Sequence, residues 1–302
     1  MTRSNLFLHG CSYALGEVEH PVTAIDGFTE FLVGQQMIDD ADLWGWGSYR
    51  ATRRTVVELW LDAAGQSLSA FARESVDAVI LCGARFPTDV DGHAELVGRF
   101  LEAVGLPHAI PYGVTLNRCA TLVAGLGLAE ALVGSGHHRA ALVVAGDAVS
   151  SPDERLRPFA VFSDGAASCI VASGLPGPFE LLATAGACDA AAMTVGGQIS
   201  ADLTRRVNAA LAARTGIDAA AVRRLAHNNV FKPIVVMKEQ MGGFRRDQLF
   251  LENIARAGHV FACDPLVNLA DLAGSGAVGP GDAVAMGSSV SGARFGALLR
   301  MR

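Results

Sequence analysis

The chain is short of everything that would mark it as a disulfide scaffold, a metalloprotein, a membrane protein or a nucleic-acid binder. Its six cysteines (Cys11, Cys82, Cys119, Cys169, Cys188, Cys263) are scattered, and most stand in apolar, strand-like surroundings. That pattern suits free, mostly buried thiols in a reducing cytoplasm. There is no Cys-x-x-Cys and no His-x-x-x-His pair, so neither a zinc site nor any other metal site is expected. No apolar run approaches ~18 residues, which excludes a spanning helix. Leu6 to Cys11 has the outline of a lipoprotein cleavage box, but its apolar run is too short and is interrupted by His9. The 24 Lys and Arg against 30 Asp and Glu give a net charge of −6, and arginines come singly or in pairs, with no basic stripe to follow a phosphate backbone.

What is present is apolar mass. Of the 302 residues 51% are hydrophobic, enough for one large α/β domain or two fused halves around a substantial core. The most informative stretch runs from Tyr112 to Ser151. Ile110–Leu116 has the composition of a short strand. After Cys119 comes an almost wholly apolar segment that stops at Gly134-Ser135-Gly136, as a buried helix does. Ala140–Gly146 is a continuous apolar run, expected of a strand covered on both faces. Cys119 therefore stands between a strand and the N-terminus of a buried helix. Unpaired N–H groups and the helix dipole favour a thiolate there, so Cys119 is a candidate nucleophile. The other cysteines read as packing residues.

Around this unit the chain alternates. Asn5–Ser12 reads as a strand, residues 17–49 as mixed surface structure, Arg53–Gln66 as a helix, Val76–Gly83 as a buried strand, Phe86–Gly92 as a loop and Ala94–Val104 as a helix. A Ser163-Asp164-Gly165 turn precedes a strand over Ala166–Ala172, with Asp164 holding the turn. Gly174-Leu175-Pro176-Gly177-Pro178 is the best internal boundary, dividing residues 1–173 from 174–302. Beyond it lie a strand (Glu180–Ala185), a helix (Ala201–Arg214), a strand into His227, a helix (Phe231–Met241) and a last helix–strand unit. The two parts repeat one another. Leu128–Gly136 recurs as Leu269–Gly276, each followed by an apolar strand and a small-residue turn. Extended backwards, Cys119 falls opposite His259, within one residue. Two βα halves related by a pseudo-twofold axis are expected, with helix N-termini and strand ends converging on an active site at the interface.

Five segments in this order make the chain resemble the thiolase superfamily, and most closely β-ketoacyl-acyl-carrier-protein synthase III, over nearly its whole length. They are the Cys119 helix, the Phe162-Ser163-Asp164-Gly165-Ala166 turn, the His227-Asn228-Asn229 segment, the Gly258-His259 turn and the stretch Gly287–Gly296. The resemblance implies an α/β fold in which two pseudo-twofold halves make a five-layer αβαβα arrangement. The 1–173 half would carry the nucleophile and the 174–302 half both histidines. It further implies Cys119 as the acylated residue and His227 as the first catalytic histidine. His259 stands where synthase III has asparagine, which gives a Cys-His-His set like that of the elongating synthases. The backbone N–H groups of Cys119 and Ser291 would form the oxyanion hole; Val290 and Ser291 replace family glycines, but any non-proline residue supplies an N–H. The family's Arg-Thr-Gly-Ile motif for coenzyme A is absent after Trp44, leaving Trp44 and Asn229 as candidate coenzyme A or pantetheine contacts. No cofactor is expected; the coenzyme A or phosphopantetheine thioester is substrate. Partners would be acyl-CoA or acyl carrier protein and a second copy of the chain, with no nucleic acid and no membrane.

The activity so implied is that of an acyltransferase. Cys119 takes an acyl group from a thioester and passes it to a malonyl-derived enolate by decarboxylative Claisen condensation, in fatty-acid or polyketide assembly. Two alternatives stand beside it. One is transfer of the same acyl group to a hydroxyl or amine in specialised metabolism, and the other is a catalytically inactive partner subunit.

Overall fold

The computed structural model describes residues 5–86, 90–194 and 199–302. Nine strands form one hydrogen-bonded sheet: β1 (Leu6–Leu15), β2 (Ala78–Cys82), β3 (Ile110–Val114), β4 (Ala140–Asp147), β5 (Gly165–Ser173), β6 (Phe179–Cys188), β7 (Arg224–His227), β8 (Ala283–Val290) and β9 (Ala293–Met301), in the order β7-β8-β9-β6-β1-β5-β4-β2-β3. The order is a topology written twice. From β1 outward the pairings with β5, β4 and β2 are antiparallel, antiparallel and parallel. From β6 outward, β9, β8 and β7 repeat that sequence. The equivalent strands β1 and β6 join the halves through an antiparallel pairing limited to Leu6–Leu8, and the segment 174–178 links β5 to β6.

The helices fill the layers between and outside. Helix α1 (Val56–Leu68) begins at a capping box in which Thr55 and Glu58 satisfy one another's backbone N–H groups, and it packs on β1, β5 and β4. Helix α2 (Val90–Ala103) lies against α1. Helix α3 (Thr121–Gly134) touches β4 and β2 of one half and β6 and β9 of the other, which a helix apolar on all sides can do. Helix α4 (Ala201–Thr215) covers β6 and β9 with α5 (Lys232–Met241) beside it, and α6 (Asp264–Ser275) packs on β1, β7 and β8. The result is the expected αβαβα stack, with α3 and α6 as the central layer. No helix among the described residues is long and apolar enough to cross a membrane.

Three expectations are revised. Residues 17–49 are not merely surface cover: Trp44 and Trp46 are 3% and 2% exposed and join an apolar cluster with Phe28, Val161 and Phe261. The strand before Cys119 ends at Val114, so Leu116 stands 93% exposed beyond it. Helix α2 starts at Val90, ahead of Ala94; residues 87–89 of the expected Phe86–Gly92 loop lie outside the described residues.

Asp164 holds its turn as expected, taking two prongs from Arg155 (3.0 and 2.7 Å) and the N–H groups of Thr52 and Val149 (2.8 and 2.9 Å). The central layer is tight. A Cβ on Gly125 of α3 would lie 2.5 Å from Cys82 Sγ of β2. Gly125→Ala should therefore force helix and strand apart and cost roughly 1–3 kcal/mol, read as a lowered midpoint in denaturant unfolding.

Candidate active site

Cys119 is presented by strain. After β3 the chain enters a single 3-10 turn, Arg118–Ala120, before α3 begins. Arg118 takes φ 49°, a left-handed conformation that costs a side-chain-bearing residue about 1–3 kcal/mol and persists only where the surroundings impose it. The second half repeats the device, with Phe261 at φ 50° in the turn Phe261–Cys263 ahead of α6. The two strained residues fix the register of the repeat. Cys119 is equivalent to Ala262 and not to His259, which lies three residues earlier. The sequence register failed because it was carried back from the helix ends, and α3 has 14 residues where α6 has 12.

His259 is delivered by Gly258, whose φ of +63° and 2.8 Å approach of a notional Cβ to the Val161 carbonyl leave room for glycine only. The following residue is stapled to the Val161–Ser163 segment: His259 N–H donates to the Val161 carbonyl (2.8 Å), Ser163 N–H donates to the His259 carbonyl (2.9 Å), and the Phe162 ring packs 4.8 Å from the imidazole. This is why the Phe162-Ser163 turn and the Gly258-His259 turn belong to one site.

The imidazole bridges two groups. Its Nδ1 makes a short hydrogen bond with Asp264 Oδ2, and the Cys119 sulfur is near enough to favour the protonated ring. Asp264, the first residue of α6, is fully buried; its carboxylate also accepts the N–H of Val260 and of Asn229, both at 2.6 Å. Burial alone would drive His259 towards its neutral form. The Asp264 charge and the Cys119 sulfur outweigh burial and lift the ring to about 10.

His227 closes β7 and is fully buried. Its Nδ1 lies 2.7 Å from the Asn228 carbonyl, which can only accept, so Nδ1 carries the proton and Nε2 keeps its lone pair. That Nε2 is buried with no hydrogen-bond partner. Burial lowers the pKa of His227, which favours neutral imidazole.

The remaining expected residues are placed differently. Asn229 lies wholly inside, with its N–H on Asp264 and its Oδ1 receiving Asn268 Nδ2 at 2.9 Å. It frames the catalytic carboxylate and meets no solvent through which a pantetheine arm could reach it. Trp44 is no adenine platform: it packs against Phe28 with its indole N–H on the Ile38 carbonyl (2.6 Å), and no ring face is open. Ser291 turns its hydroxyl to the Ala192 carbonyl (2.6 Å). The side chains touching the Cys119 carbonyl are Ser288, through Oγ at 2.8 Å, and Asn228, through Nδ2 at 3.5 Å.

Sequence reasoning missed Asp264, Asn228 and Ser288. Asp264 had a visible signal: an acidic residue directly before Pro265 at the head of an apolar helix. That signal reads as helix initiation, and only the fold turns the carboxylate inward to His259.

The family model for 3-oxoacyl-[acyl-carrier-protein] synthase III matches residues 115–190, which include Cys119 and the Ser163-Asp164-Gly165 turn. No curated protein matches the sequence. Solved structures match along the full chain. ChlB3, titled an acyltransferase, superposes with TM-score 0.80 at 22% identity, over 98% of both chains. The 3-oxoacyl-(acyl carrier protein) synthase III of Pseudomonas aeruginosa gives 0.78 at 18% identity over 98% of both chains. The synthase III of Xanthomonas oryzae gives 0.82 at 14% identity, over 99% of this chain and all of the other. Identities this low speak for the fold.

The His259–Asp264 pair should be visible in the pH dependence of stability. In a Cys119→Ala background no thiol exchanges protons with the ring. With Asp264 as its remaining acidic partner, His259 should keep its proton in the folded chain above 6.5, where the unfolded chain releases it. Its stabilisation is complete below pH 6.5 and is lost as pH rises through the folded value. Thermal midpoints of Cys119→Ala should fall with pH above 6.5, and Cys119→Ala/Asp264→Asn should lack that slope.

Proposed function

We propose that this chain, which shares the fold of the synthase III structures and matches their family model over residues 115–190, is an acyltransferase that loads an acyl group on Cys119 and delivers it to a hydroxyl or amine. One observation carries the reading: His259 is held on one side by the buried Asp264 carboxylate and on the other meets the Cys119 thiol. A nucleophile, a base and a carboxylate that orients the base make the arrangement of a Ser-His-Asp hydrolase with sulfur as the attacking atom.

In the first half-reaction the proton shared by Cys119 and His259 sits on the imidazole, as the raised pKa of that ring requires. Cys119 sulfur attacks the carbonyl carbon of an acyl thioester, from coenzyme A or a carrier protein. The tetrahedral oxyanion is held by backbone N–H groups, for which Cys119 and Ser291 are the assigned donors. Collapse breaks the old C–S bond, and the departing thiol takes the proton back from His259. In the second half-reaction neutral His259 removes the proton of the acceptor as it attacks the acyl-cysteine. Asp264 stabilises the imidazolium that forms, and the C–S bond to Cys119 breaks.

Decarboxylative condensation makes a different demand, since the enolate oxygen needs N–H donors. His227 spends its one proton on the Asn228 carbonyl and offers a bare Nε2. The site therefore has one well-supported proton carrier, His259, and a proton-accepting base is what a heteroatom acceptor requires. His227 Nε2 can accept from such an acceptor and help to orient it.

Intact-mass measurement after incubation with acyl thioesters should show an adduct that Cys119→Ala abolishes; absence of an adduct with every donor would select the inactive-partner alternative. Asp264→Asn should retain the fold yet slow transfer by about 10²–10⁴-fold. Loaded enzyme should leave malonyl thioester intact while yielding ester or amide with an acceptor. Release of CO₂ from the malonyl group would return the assignment to carbon–carbon bond formation.

A further inference from the structure

Behind the Cys119 turn lies a charged cluster that the acyl-transfer chemistry does not use. Lys238 and Glu239 of α5 and Arg294 of β9 are 3%, 0% and 1% exposed. Arg294 grips Glu239 with two nitrogens, at 2.8 and 3.2 Å, and Lys238 Nζ lies 2.9 Å from the same carboxylate. One anion faces two cations, so the interior holds a surplus positive charge. A buried ion pair is costly and by itself a poor device for stability, and an unmatched third charge makes it worse. The surrounding sequence accommodates it: the Arg294 guanidinium fills the space where a Cβ of Gly287 on β8 would be.

The cluster points towards the nucleophile. Lys238 Nζ and Arg294 both donate to Ser289 Oγ, at 3.1 and 2.9 Å. Ser289 N–H donates to Asn228 Oδ1 at 2.8 Å, and Ser288 Oγ meets the same oxygen at 3.0 Å. Ser288 and Asn228 then hold the Cys119 carbonyl from the opposite half of the molecule. The path from Lys238 to the Cys119 peptide is thus three hydrogen bonds long, and Lys238, Ser289 and Asn228 along it are buried.

We propose that Lys238 is a positioning residue for the acyl-transfer site: through Ser289 and Asn228 it fixes the Cys119 peptide, and its unmatched positive charge favours the thiolate. The assignment deepens the acyl-enzyme reading and rests on Cys119 being the nucleophile. Around Lys238 the charged and titratable groups are Glu239 on its own helix, Arg294 on β9 and His227 on β7; around Cys119 the facing group is His259. Burial pushes Lys238 down to about 8 against the pull of Glu239, so its charge is present at neutral pH and fades above that.

The test is alkylation of Cys119 by iodoacetamide in the full chain, followed by peptide mass against pH, with thermal midpoints recorded in parallel. It needs no substrate, so its outcome is separate from whether an acyl adduct forms. Lys238→Met leaves the balanced Arg294–Glu239 pair and should keep the fold. A unit charge a few hydrogen bonds away at an effective dielectric near 20 is worth about one pH unit, so alkylation at pH 7 should slow by up to about tenfold. The parent and Lys238→Met profiles should converge above pH 8, where Lys238 itself is neutral. Glu239→Gln makes the cluster more positive and should move the profile the opposite way; should it fail to fold, the Lys238→Met comparison decides alone. Superimposed profiles of parent and Lys238→Met, or a lower thermal midpoint with no shift in reactivity, would overturn the assignment.

Discussion

A single carboxylate at the head of the second central helix, that of Asp264, carries the geometry of the site. It accepts the backbone N–H of Val260 and of Asn229 and the Nδ1 proton of His259, with no access to water. Three donors repay the cost of burying a charge that would otherwise be prohibitive. In accepting them it ties together the loop after β7, the turn carrying His259 and the start of α6. Asn268, one turn further along the same helix, extends the frame by donating to the His227 carbonyl and to Asn229 Oδ1, at 2.8 and 2.9 Å. The His259 ring and the backbone around it are therefore positioned from one helix.

The nucleophile comes from the other central helix, and each half restrains the other's contribution. Cys119 rides in the turn ahead of α3, but the side chains that grip its carbonyl, Ser288 and Asn228, come from the second half. His259 rides ahead of α6, but Val161, Phe162 and Ser163 of the first half fix its backbone and its ring. The shared core has the same reciprocity: α3 lies between the strands of both halves, with Glu130 anchored to Thr184 and Arg214 across the divide. Internal duplication thus yields a site with distinct parts. The two strained turns have equivalent geometry, yet one presents a cysteine and the other presents Ala262 and leaves the chemistry to a histidine three residues upstream.

The histidines illustrate how environment divides similar side chains into different roles. Both are buried, and burial alone lowers both. His227 has only a carbonyl on its Nδ1 and a distant balance of charges, so it remains neutral. His259 has a carboxylate on one edge and a thiol on the other, which reverses the direction of the shift. The difference follows from what lies within hydrogen-bonding reach, and residue type alone does not carry it.

The sequence alone determined the class of the fold, the duplication and the buried helix after Cys119, and it singled out Cys119, His227 and His259 as candidates. Apolar periodicity, glycine stops and a repeated Leu-Ala-Gly-Ser-Gly helix end are local patterns, and local patterns report local structure faithfully. Tertiary structure decided the register of the repeat, because that depends on strained φ angles and on unequal helix lengths which no composition records. It also decided that Trp44 and Asn229 face inward, that Asp264 and not a second histidine completes the relay, and that Lys238, Glu239 and Arg294 meet at all. Those outcomes rest on contacts between residues from 5 to 169 positions apart in the chain. Such contacts are fixed by how the layers stack and by which buried charges find partners once water is gone.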